Sequence, residues 1–255
     1  MIAGIITNER KDAGLVYTRE VCAFLTARKV TPCTGMVQDA DFWVVLGGDG
    51  TMLRAAHSAA LQNMPMIGIN LGRVGFLTDV GKHEGFLSLE KVIRGEFLEE
   101  KRMMLLVGDN PSSESLPNHL ALNEAYLSSE KAGKLMNFTL YINEQRIDDI
   151  RADGIIVATP TGSTAYSLSA GGPILMPSGE MIVITAVNPQ RLGVRPWVIS
   201  AHDTVRVVPD REIPVSLDGD INFFSGNGVV IRRAPHMVTI LKTSPTHFFE
   251  VLRGV

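Results

Sequence analysis

Cysteine is scarce in this chain of 255 residues, because only Cys22 and Cys33 are present and they form no Cys-x-x-Cys pair. This usage is typical of proteins kept in a reducing compartment, and it excludes a disulfide-rich scaffold. The first seven residues show no basic segment or cleavage pattern of the kind that a secretory signal requires. We therefore expect a cytoplasmic protein.

Long apolar runs, an excess of one charge and metal-ligand spacings are also missing. No apolar stretch approaches the ~20 residues of a transmembrane helix, and the formal net charge is only −3. The six histidines have no His-x-x-x-His or similar spacing, and no Gly-x-Ser-x-Gly or Cys–His nucleophile pattern occurs. We therefore expect no membrane, no nucleic acid and no zinc site, so a phosphate-rich ligand has to be attracted by local charges.

Glycine is concentrated at one informative place, the sequence Gly-Gly-Asp-Gly at residues 47–50. Residues 42–46 before it form a short apolar run typical of a buried parallel strand. Thr51 after it can cap a helix that runs to about Gln62. Glycines let a ligand approach the backbone closely, and the N–H groups and partial positive charge of a helix start favour an anion. The pattern therefore predicts a phosphate-binding turn.

Asp49 is the unusual residue of this turn, since it places a carboxylate inside an anion-binding segment. It can be an ordinary turn residue or a local helix cap. It can also take the proton from a hydroxyl group that attacks a bound phosphate. The turn is not a nucleotide P-loop, because no Gly-Lys-Ser/Thr ends it, and the Gly-x-Gly-x-x-Gly fingerprint is absent at this junction.

Residues 1–98 alternate between strand and helix patterns, which predicts an N-terminal α/β domain with a Rossmann-like parallel sheet. The predicted strands are 3–7, 42–46 and 66–70, and the predicted helices are 12–29, 51–62 and 83–94. Ligands of parallel sheets bind at the carboxyl ends of the strands, so residues 47–51 and 70–78 are expected to share one crevice.

Residues 99–255 contain many short strand patterns separated by turn residues, which predicts a β-rich, β-sandwich-like C-terminal domain. Its strands are predicted at 98–107, 120–128, 135–142, 146–150, 154–158, 181–187, 204–208, 213–217 and 228–231. The last ~20 residues can pack back on the first domain.

Two further segments carry clustered polar side chains. Residues 159–173 combine hydroxyl groups, glycines and a tyrosine, which suits an adenine–ribose unit, but they also fit a short helix capped by Ser163 or Thr164 and ended by Gly-Gly. Asp153 before Gly154 either belongs to this site or forms an ordinary Asp-Gly turn. The Asn-Glu pair at 123–124 interrupts an apolar strand. It can bind ribose hydroxyls, orient a metal-bound phosphate, or face outward as a polar pair at a strand kink.

Taken together, these segments resemble the NAD kinase family. The resemblance rests on Gly-Gly-Asp-Gly-Thr at 47–51, on residues 70–79, on Asn-Glu at 123–124 and on residues 153–172. Lipid kinases and phosphofructokinases carry similar glycine loops, but the block Thr-Pro-Thr-Gly-Ser-Thr-Ala-Tyr-Ser is much more specific. The order and spacing of the segments match the family over nearly the whole chain.

The resemblance implies a phosphotransferase with its site between the two domains, and self-association as a dimer or tetramer. It implies that Asp49 is the proton acceptor, that Gly50 binds NAD and that Arg54 lies near the phosphates. The other binding positions that it implies are Phe76, Asn123, Glu124, Lys134, Arg151, Asp153, Thr161, Thr164, Ala165, Tyr166, Ser167, Leu168 and Ser169. The chain departs from the usual family residues at Arg73, Val74, Ala186, Gln190 and Asp220.

The implied reaction transfers the γ-phosphoryl group of ATP, or a phosphoryl group of polyphosphate, to the 2′-hydroxyl of the adenosine ribose of NAD, which gives NADP. Mg²⁺ is expected on the nucleotide phosphates, without fixed protein ligands. Two alternatives stay open at this point. One is a lipid kinase that acts on diacylglycerol or a sphingoid base, and the other is a dinucleotide sensor without turnover.

Overall fold

The computed structural model describes residues 1–109, 119–129, 134–244 and 248–253, without the side chains of residues 221 and 222. The chain divides into two compact units. The first comprises Met1–Lys101 and Val238–Val255, and the second comprises Arg102–Met237. The sequence places its domain boundary between residues 98 and 99.

The strands, in chain order, are β1 (Ile2–Thr7), β2 (Thr31–Thr34), β3 (Phe42–Gly47), β4 (Met66–Asn70), β5 (Val80–Gly81), β6 (Leu98–Gly108), β7 (Leu120–Ala121), β8 (Glu124–Ser128), β9 (Met136–Ile142), β10 (Gln145–Ala152), β11 (Gly154–Ala158), β12 (Met181–Val187), β13 (Trp197–Ser200), β14 (Val205–Pro209), β15 (Ile213–Leu217), β16 (Asp220–Ser225) and β17 (Val229–Lys242). The helices are α1 (Val16–Ala27), α2 (Asp49–Gln62), α3 (Gly85–Ile93), α4 (Tyr166–Ser169) and α5 (Phe248–Leu252). Single 3₁₀ turns are formed by Ala13–Leu15, Lys82–Glu84 and Gly162–Thr164.

The first unit is built on a parallel sheet in which β4, β3, β1 and β2 are neighbours. Every residue of β3 and β4 is buried, as expected of strands that are covered on both faces. Residue Ile240, near the end of β17, pairs in parallel with Met66 of β4 and so adds the carboxyl-terminal part of the chain to this sheet.

The register of this sheet positions the glycine turn. Gly47, the last residue of β3, pairs with Asn70, the last residue of β4. Thr7 at the end of β1 pairs with Leu46. The segments that leave β1, β3 and β4 therefore begin at one edge of the sheet, which is where parallel sheets bind their ligands.

The second unit is antiparallel. One sheet contains six strands in the order β13-β12-β11-β8-β15-β16, and other strands pair as β10-β9-β14-β17. One core is shared by apolar side chains of both sets, for example Phe138 and Leu140 of β9 with Ile155 and Val157 of β11. This arrangement is a β-sandwich, in which inward-facing residues of two sheets fill the space between them.

The predicted fold class, an α/β domain followed by a β-rich domain, is confirmed. Several boundaries differ. Strand β2 is missing from the prediction, because its Pro32 reads as a turn residue; the strand lies at the sheet edge, where the missing N–H of proline is tolerated. The single strand expected at 120–128 is broken into β7 and β8, and β17 is much longer than the predicted strand at 228–231.

In the described part of the chain, no helix combines the length and the apolar character needed to cross a bilayer.

Candidate active site

The glycine turn joins β3 to α2. Gly48 is the N-cap residue and the helix begins at Asp49, so Thr51 is not the N-cap residue, but its side chain caps the helix start from the third helical position. Thr51 lies one turn inside the helix, where its Oγ1 accepts the N–H of Gly48 at 3.4 Å. A Cβ on Gly47 would lie 2.3 Å from this Oγ1, so the close approach of Thr51 requires glycine at position 47.

The carboxylate of Asp49 accepts four hydrogen bonds from the segment that follows β4. Oδ1 accepts the N–H of Leu77 at 3.1 Å, the N–H of Thr78 at 3.0 Å and the hydroxyl of Thr78 at 2.8 Å. Oδ2 accepts the N–H of Phe76 at 2.8 Å. These donors lie 27 to 29 residues away in sequence, so Asp49 joins two segments of the first unit and is more than a local cap.

Positive charge is also present at the turn. A Cβ on Gly48 would lie 2.8 Å from Nζ of Lys11, so this ammonium group lies against the turn backbone. Nη2 of Arg54 lies 3.5 Å from Oγ1 of Thr51. The sequence analysis missed Lys11. It lies in the loop after β1, and this loop leaves the sheet beside the loop after β3, so a lysine at that position could have been recognised as a neighbour of the glycine turn. Both cations favour an anion at this place.

Two other predicted residues of the first unit are at the same turn. Gly50 is exposed in the first turn of α2. Phe76 is half-buried, and its ring packs against Phe248 with 5.7 Å between the ring centroids. The structure therefore brings Asp49, Gly50 and Phe76 together around one helix start.

In the second unit, the carboxylate of Asp218 orders the Asn-Glu pair. It accepts the N–H groups of Leu122 at 2.8 Å, Asn123 at 2.7 Å and Glu124 at 3.2 Å. The carbonyl of Asn123 then accepts the N–H of Thr159 at 2.9 Å. The kink between β7 and β8 is thus held against the start of the polar block at 159–173, so two separately predicted segments are adjacent.

Glu124 is buried, with 7% of the residue exposed. Its Oε2 has no hydrogen-bond partner among the described residues. Burial raises the pKa of the Glu124 carboxyl to about 7, and the negative charge of Asp218 adds to the rise. An unpartnered buried carboxyl oxygen is a suitable partner for a ligand hydroxyl.

We expect Glu124→Gln to stabilise the protein at pH 8 and to change little at pH 4.5. The pKa of Glu124 is raised from 4.5 to about 7 on folding, so the protonated form is favoured by the fold and stability falls as the pH rises between these values. The difference between the variants should approach the order of 3 kcal/mol at pH 8. Urea unfolding at both pH values measures it, with the exposed Glu9→Gln as control. A gain of equal size at both pH values would contradict the burial argument.

The polar block itself folds as a 3₁₀ turn followed by α4. No side chain of the described residues caps either helix, so the predicted capping by Ser163 or Thr164 is wrong. Ser163 is buried and accepts the N–H of Leu175 at 2.9 Å, while its own hydroxyl donates to the carbonyl of Pro160 at 2.6 Å. The chain does turn at Gly171, with φ of +88°.

The other side chains of this block fall into two groups. Thr161 and Ser167 are buried: Thr161 accepts a hydrogen bond from Nη1 of Arg102 at 3.1 Å, and Ser167 bonds to the hydroxyl of Thr185 at 3.1 Å. The accessible or partly accessible positions are Thr164, Ala165, Tyr166, Leu168 and Ser169. Tyr166 is 40% exposed and meets the ring of Tyr126 edge-on. The buried hydroxyls therefore stabilise the fold of this block, and the accessible residues form the surface that is available to a ligand.

Two family models match this chain. They are described as the ATP-NAD kinase N-terminal domain, over residues 31–97, and the ATP-NAD kinase C-terminal domain, over residues 122–243. The chain is 42% identical to the NAD kinase of Tolumonas auensis over 223 residues, which cover 85% of this chain and 76% of the relative. It is 33% identical to the NAD kinase of Thermoanaerobacter sp. strain X514 over 273 residues, which cover 98% and 96%.

The chain belongs to the NAD kinase family. Its backbone resembles a solved NAD kinase from Archaeoglobus fulgidus in complex with ATP, with a TM-score of 0.86, 28% identity and coverage of 100% of both chains. A yeast NADH kinase complexed with NADH has the same fold, with a TM-score of 0.81 and 22% identity over 100% of this chain and 87% of that chain. The predicted family and the predicted enzyme class, an NAD kinase, are confirmed, and the lipid kinase is not favoured.

The matched ranges of the NAD kinase models contain every site residue that the resemblance assigns. Asp49, Gly50, Arg54 and Phe76 lie in the N-terminal match, whereas Lys11 lies outside it. In the C-terminal match, Oδ2 of Asp153 accepts a hydrogen bond from Nδ2 of Asn188 at 2.9 Å. Lys134 and Arg151 are exposed, and their side chains make no hydrogen bond or ion pair with other described residues.

No cluster of three or more His, Cys, Asp or Glu side chains suited to a metal ion occurs in the part of the chain that the structure describes.

Proposed function

We propose that this NAD kinase transfers the γ-phosphoryl group of ATP to the 2′-hydroxyl of the adenosine ribose of NAD, with Asp49 as the proton acceptor. The observation that carries the assignment is the position of the Asp49 carboxylate. It lies at a glycine turn that favours phosphate, and Oδ2 accepts one hydrogen bond while Oδ1 accepts three. Oδ2 therefore retains a free acceptor position for a substrate hydroxyl.

The proposed step conserves atoms and charge. The 2′-oxygen forms a bond to the γ-phosphorus, the bond from that phosphorus to the bridging oxygen of ADP breaks, and the hydroxyl proton passes to Oδ2 of Asp49. A ribose hydroxyl is too weak an acid to ionise beforehand, so the proton moves late, as the new bond forms. Phosphoryl transfer has a loose transition state, in which positioning and charge stabilisation dominate.

Charge stabilisation comes from the start of α2 and from the cations beside it. Lys11 and Arg54 are the residues of this chain that we assign to the phosphates. Mg²⁺ fits this site as an ion carried by the nucleotide, because it keeps several waters and binds phosphate oxygens with few protein ligands. When bound, it neutralises charge on the transferred group.

The second unit supplies the proposed NAD-binding surface. Asn123 and Glu124 are assigned to ribose hydroxyls, and the accessible face of the polar block, centred on Tyr166, is assigned to the dinucleotide. Asp153, Arg151 and Lys134 remain assigned by the family resemblance. Thr161 and Ser167 are assigned an indirect role, since their side chains already have partners within the unit.

Formation of NADP from NAD, ATP and Mg²⁺ tests the function. Parallel reactions with polyphosphate as donor, with NADH as acceptor, and with diacylglycerol or a sphingoid base as acceptor define the donor and acceptor. NADP formation supports the proposal. Binding of NAD without NADP formation under every metal and donor would identify a sensor instead.

Tyr166→Ala is expected to weaken NAD binding by roughly 5- to 100-fold, the effect of one base–aromatic contact. The ring is exposed and is oriented by Tyr126, so its removal changes the surface and little of the core. Isothermal titration calorimetry measures the affinity. Tyr166→Phe should retain most of it, and Tyr141→Ala, which removes a ring of the same unit beneath Arg206, is the matched control. Equal affinities of the alanine variant and the parent protein would contradict this role.

We also propose self-association as a dimer or tetramer, and a cytoplasmic location. The scarcity of cysteine supports the cytoplasmic location. The family resemblance and the exposed Trp197 and Val198 on the edge strand β13 support self-association. Analytical ultracentrifugation tests it, and a monomer at micromolar concentration would contradict it.

A further inference from the structure

A chain of two hydrogen bonds leads from the parallel sheet to the Asp49 carboxylate. Nδ2 of Asn70 lies 2.6 Å from Oγ1 of Thr78, and this hydroxyl lies 2.8 Å from Oδ1 of Asp49. Asn70 is 2% exposed and Thr78 is fully buried. Water therefore does not compete for these groups, and each of them needs its partner within the protein.

The groups at the two ends determine which atom donates in each of these two hydrogen bonds. Oδ1 of Asn70 accepts the N–H of Gly72 at 2.8 Å, which orients the amide so that its NH₂ group faces Thr78. An amide NH₂ only donates, so the Thr78 oxygen accepts from Asn70. The hydroxyl proton of Thr78 must then point to Asp49, which accepts it with a carboxylate oxygen.

The two carboxylate oxygens of Asp49 therefore differ in the number of hydrogen bonds that they accept. Oδ1 is saturated by two backbone N–H groups and the Thr78 hydroxyl, while Oδ2 has one partner, the N–H of Phe76. The side chain cannot rotate without losing several charge-assisted hydrogen bonds at once. Oδ2 is thus held in one orientation with acceptor capacity left over.

We infer that Thr78, oriented by Asn70, is a positioning residue that holds the Asp49 carboxylate for proton transfer. The inference rests on the proposed function, because the orientation of Oδ2 affects catalysis only if Asp49 is the proton acceptor. Asn70 is itself fixed by the pairing of the last residues of β3 and β4. The sheet register therefore determines where the reactive oxygen lies.

Thr78→Val removes the hydroxyl with little change of shape, and it keeps the backbone N–H bond to Oδ1. We expect kcat to fall roughly 10- to 100-fold, the equivalent of one hydrogen bond to a charged group. The KM for ATP and the calorimetric Kd for NAD should stay within about threefold, because Thr78 contacts neither substrate in the proposal. Thr78→Ser restores the donor and should return kcat to within about threefold of the parent value.

Asn70→Asp provides a second variant that leaves Thr78 in place. The introduced carboxylate accepts instead of donating, so it competes with Asp49 for the Thr78 proton. The same loss of kcat is expected. Thr243→Val is the matched control, since it removes a threonine hydroxyl bonded to Ser88 in the same unit at 2.9 Å. Its kcat should match that of the parent protein.

The outcomes separate the inference from the function on which it rests. If Thr78→Val retains the parent kcat while Asp49→Asn loses it, the positioning role is wrong and the proposed function stands. The inference is also overturned if Thr78→Ser and Thr78→Val lose kcat equally, or if substrate affinity falls in parallel with kcat. If the parent protein forms no NADP with any donor, the proposed function fails first.

Discussion

Asp49→Asn is expected to lower kcat by roughly 10²- to 10⁴-fold, the usual contribution of a general base. The asparagine oxygen can replace Oδ1, where it receives the N–H groups of Leu77 and Thr78 and the Thr78 hydroxyl. The amide nitrogen then takes the place of Oδ2, where it cannot accept the N–H of Phe76, so the asparagine keeps three of the four hydrogen bonds of Asp49. The amide nitrogen has no lone pair available for a proton, so the side chain is still held by its three bonds at Oδ1 but cannot act as the proton acceptor.

NAD affinity should change little in this variant, by about threefold or less, because the assigned dinucleotide contacts of the second unit are intact. A steady-state assay of NADP formation together with calorimetry of NAD binding separates the two effects. Asp39→Asn, which neutralises an exposed carboxylate of the same unit, controls for the change of charge. An Asp49→Asn protein with the parent kcat would remove Asp49 as the proton acceptor.

The glycine turn could be predicted because its signals are local. The apolar runs of β3 and β4 reflect burial on both faces, and Gly47 is required by the close approach of Thr51 at the helix start. The same locality explains why the edge strand β2 was missed. This strand pairs with β1 along one edge only and is not fully buried, and Pro32 gives it the composition of a loop.

The sequence predicts that residues 47–51 and 70–78 lie together, but not which atoms of the second segment bind Asp49, because these contacts depend on the sheet register and on the path of the loop after β4. Asp218 is a similar case, since it orders residues 122–124 across more than 90 positions. Composition identified the hydroxyl-rich block but gave no direction to its side chains. Only the structure shows that Thr161 and Ser167 are occupied inside the unit while Tyr166 is exposed.

Lys242→Met is expected to lower the free energy of unfolding by roughly 3–5 kcal/mol, as when one partner of a buried ion pair is removed. Nζ of Lys242 lies 2.8 Å from Oδ2 of Asp79, and the two side chains are only 4% and 8% exposed. Methionine fills most of the space of the lysine stem but leaves the Asp79 carboxylate buried without a cation. Asp79 directly follows Thr78, so the pair also ties the Asp49-binding segment to the end of β17.

Urea unfolding of Lys242→Met measures the effect, and Glu144→Gln is the matched control. Glu144 pairs with Arg206 at 2.9 Å, but its side chain is 69% exposed, so its loss should cost less than about 1 kcal/mol. The double variant Asp79→Leu/Lys242→Met should recover most of the lost stability, because it removes both buried charges together. Equal costs for the buried and the exposed pair would show that desolvation does not dominate at Asp79. A double variant no more stable than Lys242→Met would mean that the carboxylate has a further role in the fold, beyond its pairing with Lys242.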